Sequence, residues 1–164
     1  MRQTFTLFGL LLVGAAASWS AAQAREIAVK REALPPAVLA ALSSCYPHAE
    51  YLNFTQETTG HATLYEAEMK VAGHRVDASF EPSGKLHEEE LQIPVSEIPD
   101  PIRTSLAESA QAHWKIEGVE RVTTASASAP ARYEILMVHH QARVELVYAA
   151  DGRRISAARA DEQD

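Results

Sequence analysis

Tyr65-Glu66-Ala67-Glu68-Met69-Lys70-Val71, followed by Arg75-Val76-Asp77-Ala78-Ser79-Phe80 and then Gly84-Lys85, sets out a pattern that returns once later in the chain. The second copy reads Tyr133-Glu134-x-x-Met137, Arg143-Val144-Glu145-x-x-Tyr148 and Gly152-Arg153, every element displaced by 68 residues. Nine positions identical or conservatively changed at one offset indicate a duplicated structural unit. Within each copy polarity alternates. Tyr65, Ala67, Met69 and Val71 fall on one side and Glu66, Glu68 and Lys70 on the other, the pattern of a half-buried antiparallel strand. Val76, Ala78 and Phe80 oppose Asp77, Ser79 and Glu81 in the same way.

Upstream of each alternating block the period becomes helical. Leu34-Pro35-Pro36 opens a helix running to about Tyr46, with Val38, Leu42 and Cys45 on one stripe, Leu39 beside them and Pro47 as the stop. Ile98-Pro99-Asp100-Pro101-Ile102 repeats that entry at an offset of 64, with Asp100 as N-cap and Ile102, Leu106, Ala110 and Trp114 as its stripe. The four-residue difference belongs to a loop. Strands are expected near 51–57, 65–71, 76–81 and 85–93, then at 119–125, 132–138, 142–148 and 153–158. Ala72-Gly73-His74 and Pro82-Ser83-Gly84 supply turns, and the opposite parity of Leu86 and Leu91 requires a bulge or a late strand start. The expected fold class is α+β, with two tandem repeats, each a helix followed by a four-stranded antiparallel meander, and the helices packed on one sheet face.

Residues 1–24 read as a signal peptide: Met1-Arg2 is a positive start, Phe5 to Ala17 is almost wholly apolar, and Ala22-Gln23-Ala24 is a small-x-small cleavage site. Cleavage after Ala24 predicts a periplasmic or secreted chain with no membrane span in its mature part. Repeat 1 then covers 25–96, repeat 2 covers 97–160, and 161–164 is a frayed tail. The mature chain carries 14 basic and 22 acidic side chains. That balance excludes nucleic acid as a natural partner and favours a basic protein or ligand. A single cysteine, Cys45, allows no internal disulfide, so stability must come from core packing.

The seven histidines invite a metal reading, but His61 and His74 fall at opposite strand ends. His139 and His140, adjacent on one strand, would point to opposite faces, and no H-E-x-x-H or paired C-x-x-C is present. Cys45 with His48 resembles a thiol and base, yet its place on an apolar stripe makes it a small buried hydrophobe. Glu88-Glu89-Glu90 could bind a cation or act as a general acid, but consecutive carboxylates alternate faces and read as a solvated acidic edge. Asn53-Phe54-Thr55 matches a glycosylation sequon inside an expected strand and is incidental there.

The sheet face opposite the helices is the better candidate. Repeat 1 places Glu66, Glu68 and Asp77 there; repeat 2 places Leu136, Val138, His140, Glu145 and Val147, with Glu134 at the position of Glu66. Aliphatic groups replacing charge and serine predict an apolar patch rimmed by charges, the composition of an interface. Burial of this patch by the other repeat, or a homodimer through it, is the competing structural reading.

Leu34-Pro35-x-x-Val38, the Tyr46-Pro47 exit, the Tyr65-Glu66 strand, the Phe80-x-x-x-Gly84-Lys85 turn and the acidic strand after it resemble the PepSY-like family related to β-lactamase-inhibitor proteins. The resemblance spans the mature chain as two tandem domains, and its motifs are structural. The second copy departs from them at Ala110-Gln111, where the first has Tyr46-Pro47. The resemblance implies secreted or periplasmic domains that bind a protein through the concave face of the joined sheet. It brings no catalytic residue and no cofactor. The expectation is therefore an exported, non-enzymatic protein-binding module, inhibitor or chaperone-like, with no metal assigned. A periplasmic small-ligand or metal-sensing protein using the inter-repeat cleft is the alternative.

Overall fold

Alternating polarity sends nine segments into strands that hydrogen-bond side by side in chain order, every neighbour antiparallel. The computed structural model describes residues 25–126 and 129–159; the expected signal peptide and frayed tail lie outside them. The strands are β1 (Arg25–Ala28), β2 (Glu50–Thr59), β3 (Ala62–Val71), β4 (His74–Phe80), β5 (Leu86–Gln92), β6 (Lys115–Thr124), β7 (Arg132–His139), β8 (Ala142–Ala149) and β9 (Arg154–Arg159). Two short helices interrupt them, α1 (Pro36–Cys45) and α2 (Asp100–Ala107). α1 begins at Pro36 and α2 carries Pro101 in its first turn, where the fixed φ of proline suits a helix. The cap of α2 is Pro99 with no side-chain hydrogen bond, so the expected Asp100 N-cap is corrected to the first helical residue.

Both helices bury their apolar stripes against strand residues of a single parity. Val38 and Leu42 of α1 pack with Ala67, Met69, Val76, Ala78 and Phe80. Ile102 and Leu106 of α2 pack with Val119, Ile135, Met137, Leu146 and Tyr148. Full burial of each large aliphatic group removes it from water for about 1.5–3 kcal/mol, and this holds helices too short to persist alone.

The expected α+β class is corrected. The protein is mainly β, one continuous nine-stranded sheet carrying two short helices, and not two helix-plus-four-strand repeats. The seam between repeats is an ordinary strand pairing, from Glu88 opposite Thr124 to Gln92 opposite Glu120. The reason lies in β5: with β4 on one side and β6 on the other, it is a central strand, so the "solvated acidic edge" of Glu88-Glu89-Glu90 is also corrected. The strand β1, paired with β2, has no counterpart among the expected elements. In α2 the helix stops at Ala107; Ala110 is exposed in the turns that follow, and Trp114 packs at the margin of the core. Cys45 is exposed, and the next residue, Tyr46, is buried in its stead with its hydroxyl donating to Glu89.

Pairing registers preserve the duplication. Tyr65 faces Phe80 and Val71 faces His74, while 68 residues later Tyr133 faces Tyr148 and His139 faces Ala142. The bulge required by Leu86 and Leu91 occurs where Phe80 pairs with Leu86, and it recurs where Tyr148 pairs with Arg154. Gly84 and Gly152 occupy equivalent turns at φ +81° and +87°. A Cβ built on Gly84 would lie 2.5 Å from the Ala37 carbonyl oxygen, and one on Gly152 would lie 2.5 Å from that of Pro101. These turns therefore seat the first turn of each helix on the sheet.

Candidate functional site

The face away from the helices is filled by carboxylates because the outward parity of six adjacent strands, β3 to β8, carries acids. Cross-strand register aligns Glu68, Asp77 and Glu90 in one row, and Glu120 and Glu134 in the next. Glu66, Glu88 and Glu145 share this face. Like charges at such spacing repel unless cations intervene. Arg75 pairs with Glu68 at 3.1 Å and with Asp77 at 3.2 Å. Arg132 pairs with Glu88 at 2.7 Å and with Glu134 at 3.3 Å. Among the described residues no hydrogen bond or ion pair joins Glu66, Glu90, Glu120 or Glu145 to another side chain.

The carboxylates are also desolvated. Glu134 is 3 % exposed, Glu120 6 % and Asp77 8 %. Glu134 has Val147 directly opposite, Val122 diagonally across and Leu136 two residues along the same face; all three aliphatic groups are buried. Burial first, then the charges of Glu134, Glu120, Glu88 and Glu66, push the Glu90 carboxyl up to about 10. Burial, then Asp77 and Glu134, against a pull from Arg75, push Glu120 up to about 8. Burial, then Asp77 and nearby glutamates, push Glu66 up to about 7. Burial, then Glu134, opposed by Arg132, push Glu145 up to about 7. Burial outweighs the paired arginines at Asp77 and Glu134, and both are raised.

A pH dependence follows from Glu66 and Glu145. Their folded values exceed the ordinary 4.5, so the folded chain holds protons that the unfolded chain releases. The stability this confers is complete below about 4.5 and lost as pH rises through about 7. In chelator, the urea midpoint is expected to fall between pH 5 and pH 8; a flat or rising midpoint contradicts this charge arrangement.

The face brings together Glu66, Glu68, Asp77, Leu136, Glu145 and Val147 from the sequence reading, with Val138 half-buried on the same strand parity. The expected exposed apolar patch is corrected, since Leu136 is 4 % and Val147 1 % exposed. Lying on the inner strands β7 and β8, they line the carboxylates and lower the local dielectric. His140 leaves the strand, occupying the turn at φ 55°. The strict face alternation assumed for His139 and His140 therefore fails. Their rings touch edge to face with centroids 4.2 Å apart, and His113 adds a third imidazole 5.0 Å from His139.

From sequence Glu90 stands only in the Glu88-Glu89-Glu90 run, whose cation-binding reading is set aside for a solvated edge, Glu120 is not singled out, and Glu134 is only a face position. Each of the three offers a carboxylate oxygen, all within 4.8 Å of one another. The signal lay in Glu90 and Glu120, two outward-facing acids on the strands that join the repeats, legible only once β5 and β6 are known to pair.

Comparisons with known proteins agree with this architecture. The model of a family described as candidate β-lactamase-inhibitor-like and PepSY-like matches residues 14–87 and again 63–155. A BLIP-like protein of Bacteroides fragilis superposes with a TM-score of 0.60 at 18% identity, over 78% of this chain and 87% of that one. A DUF2874 family protein of Bacteroides uniformis gives 0.67 at 17% identity, over 79% and 92%. A protein of Bacteroides eggerthii described as a candidate periplasmic protein gives 0.66 at 17% identity, over 76% and 88%. At these identities the likeness is one of fold. No match is found among curated proteins.

Proposed function

The chain belongs to the PepSY-like, β-lactamase-inhibitor-like family, and on that premise we propose that it is an exported, non-enzymatic binding protein whose carboxylate face holds a protein partner bearing basic side chains. The observation that carries this reading is the surplus of buried and half-buried acid on one sheet face: Arg75 and Arg132 are committed to four carboxylates, leaving Glu66, Glu90, Glu120 and Glu145 without an ion pair among the described residues. Lysine or arginine from a partner would relieve that repulsion only in the complex, which makes charge a source of both affinity and selectivity. The inhibitor-like description of the family and of one fold relative supports binding over catalysis. Export is supported by the amino-terminal pattern and by the periplasmic description of another relative. Among the described residues no helix is long and apolar enough to cross a membrane.

The test is capture from envelope extract by wild type and by the isosteric Glu66→Gln/Glu145→Gln variant. A partner should be recovered with wild type at least tenfold over the variant, and its recovery should fall steeply with added salt. Equal recovery by a folded variant would contradict the assignment of this face.

A further inference from the structure

We infer that Glu90, Glu120 and Glu134 form a calcium site in the carboxylate face at the seam between the two repeats. The site draws on three consecutive central strands, Glu90 from β5, Glu120 from β6 and Glu134 from β7. One oxygen of each lies within 4.8 Å of the others. Three oxygens no farther apart than that can sit within about 2.8 Å of a common point, near the 2.3–2.6 Å reach of calcium and well outside the tighter octahedron of magnesium. The donors are all carboxylate oxygens, with no thiolate or imidazole among them, which selects a hard cation over zinc or copper.

Unsatisfied buried oxygens independently point to a ligand. Glu134 Oε1 accepts from Arg132 Nε, but Glu134 Oε2 is buried and has no hydrogen-bond partner among the described residues. Asp77, directly across from Glu90, is likewise buried; its Oδ2 accepts from Arg75 while Oδ1 has none. A carboxylate oxygen held from water without a donor is costly, and native proteins satisfy nearly all such atoms. A divalent cation would satisfy Glu134 Oε2 and offset the mutual repulsion of the three glutamates at once. The aliphatic neighbours Val122, Leu136 and Val147 then acquire a purpose, since a dry shell strengthens the attraction between ion and ligands. Because β5 and β6 are the strands that unite the repeats, the ion would pin the seam of the sheet.

This inference goes beyond the partner reading and stands or falls separately, since calcium binding needs no partner. Protein purified after expression of the full-length chain is to be measured by equilibrium dialysis with radioactive calcium at pH 7.5 and constant ionic strength. The expected result is saturation at one ion per chain, with magnesium competing at least tenfold more weakly. Glu90→Gln/Glu120→Gln should lower the affinity at least tenfold with its far-ultraviolet circular dichroism unchanged, whereas Glu32→Gln/Glu108→Gln, two exposed acids outside this face, should bind as wild type does. Absence of saturable binding by folded wild type overturns the site. So does unchanged affinity in Glu90→Gln/Glu120→Gln, or an equal loss in both variants, which would mean a diffuse acidic surface. Should the double variant fail to fold, Glu134→Gln, which keeps the side-chain volume, decides by the same tenfold criterion.

Discussion

Glu120→Gln is expected to stabilise the calcium-free protein at pH 8 by roughly 2 kcal/mol, a rise in Tm of about 5–8 °C. Glu120 is 6 % exposed, makes no ion pair, and lies among Asp77, Glu134 and Glu145. Its folded value of about 8 exceeds the ordinary 4.5, so its carboxyl contributes stability below about 4.5 that is lost as pH rises through about 8. Glutamine mimics the protonated form at every pH. The advantage of the variant should therefore vanish near pH 4 and grow toward pH 8, a trend that urea unfolding in chelator would follow directly. Adding calcium should narrow or reverse the difference, because only the wild type keeps a full set of carboxylate ligands. A variant less stable than wild type in chelator at pH 8 would show that Glu120 is a structural asset and not a group whose stability has been traded for binding.

Gly152→Ala should cost about 3 kcal/mol or more, which makes it the most damaging single-methyl change foreseen in the sheet turns. Two effects add. At φ +87° an L side chain is strained, and the new Cβ would lie 2.5 Å from the backbone oxygen of Pro101. Backbone cannot yield as a flexible side chain does, so α2 must lift from the sheet, uncovering Ile102 and Leu106, which are now buried. The Ser105 hydroxyl, donating to the Gly152 carbonyl at 2.7 Å, would be lost with it. Denaturant titration should show a lower midpoint, and near-ultraviolet circular dichroism a disturbed Trp114 environment. Gly73→Ala is the informative control: φ is +88° there too, but nothing lies within 4 Å of its Cβ, so backbone strain acts alone. Equal losses at both positions would show that the close approach to α2 contributes nothing.

Local pattern carried most of the strands. Period-two alternation, turn residues and the offset of 68 place β3, β4, β7 and β8 to within a few residues, and the parity clash of Leu86 and Leu91 announces the bulge. What alternation cannot specify is which edges meet. Nothing in Leu86 to Gln92 alone says that a second repeat will pair with it, and the class of the fold and the surroundings of Glu88 and Glu90 both turn on that pairing. The same gap hid the site. Glu90 and Glu134 lie 44 positions apart with Glu120 between them, and the three converge only because side chains on three neighbouring strands share one parity. Leu136 and Val147 were legible as aliphatic departures from the first repeat. Their depth was not, since burial of a strand's outer parity depends on long-range neighbours that a single sequence does not display. Cys45 misled for a related reason: the helical stripe runs through it, but the helix ends there and Tyr46 takes the covered position.

Photo-crosslinking in the producing cell distinguishes binding on the carboxylate face from binding on the helical side, with one light-activated residue replacing Lys70, exposed on the carboxylate face, and in a separate strain Ala40, exposed on α1. The expected result is a discrete adduct from position 70, lost in the Glu66→Gln/Glu145→Gln background and absent from position 40. An adduct from position 40 with none from position 70 would place binding on the helical side and contradict the assignment of function to the carboxylate face.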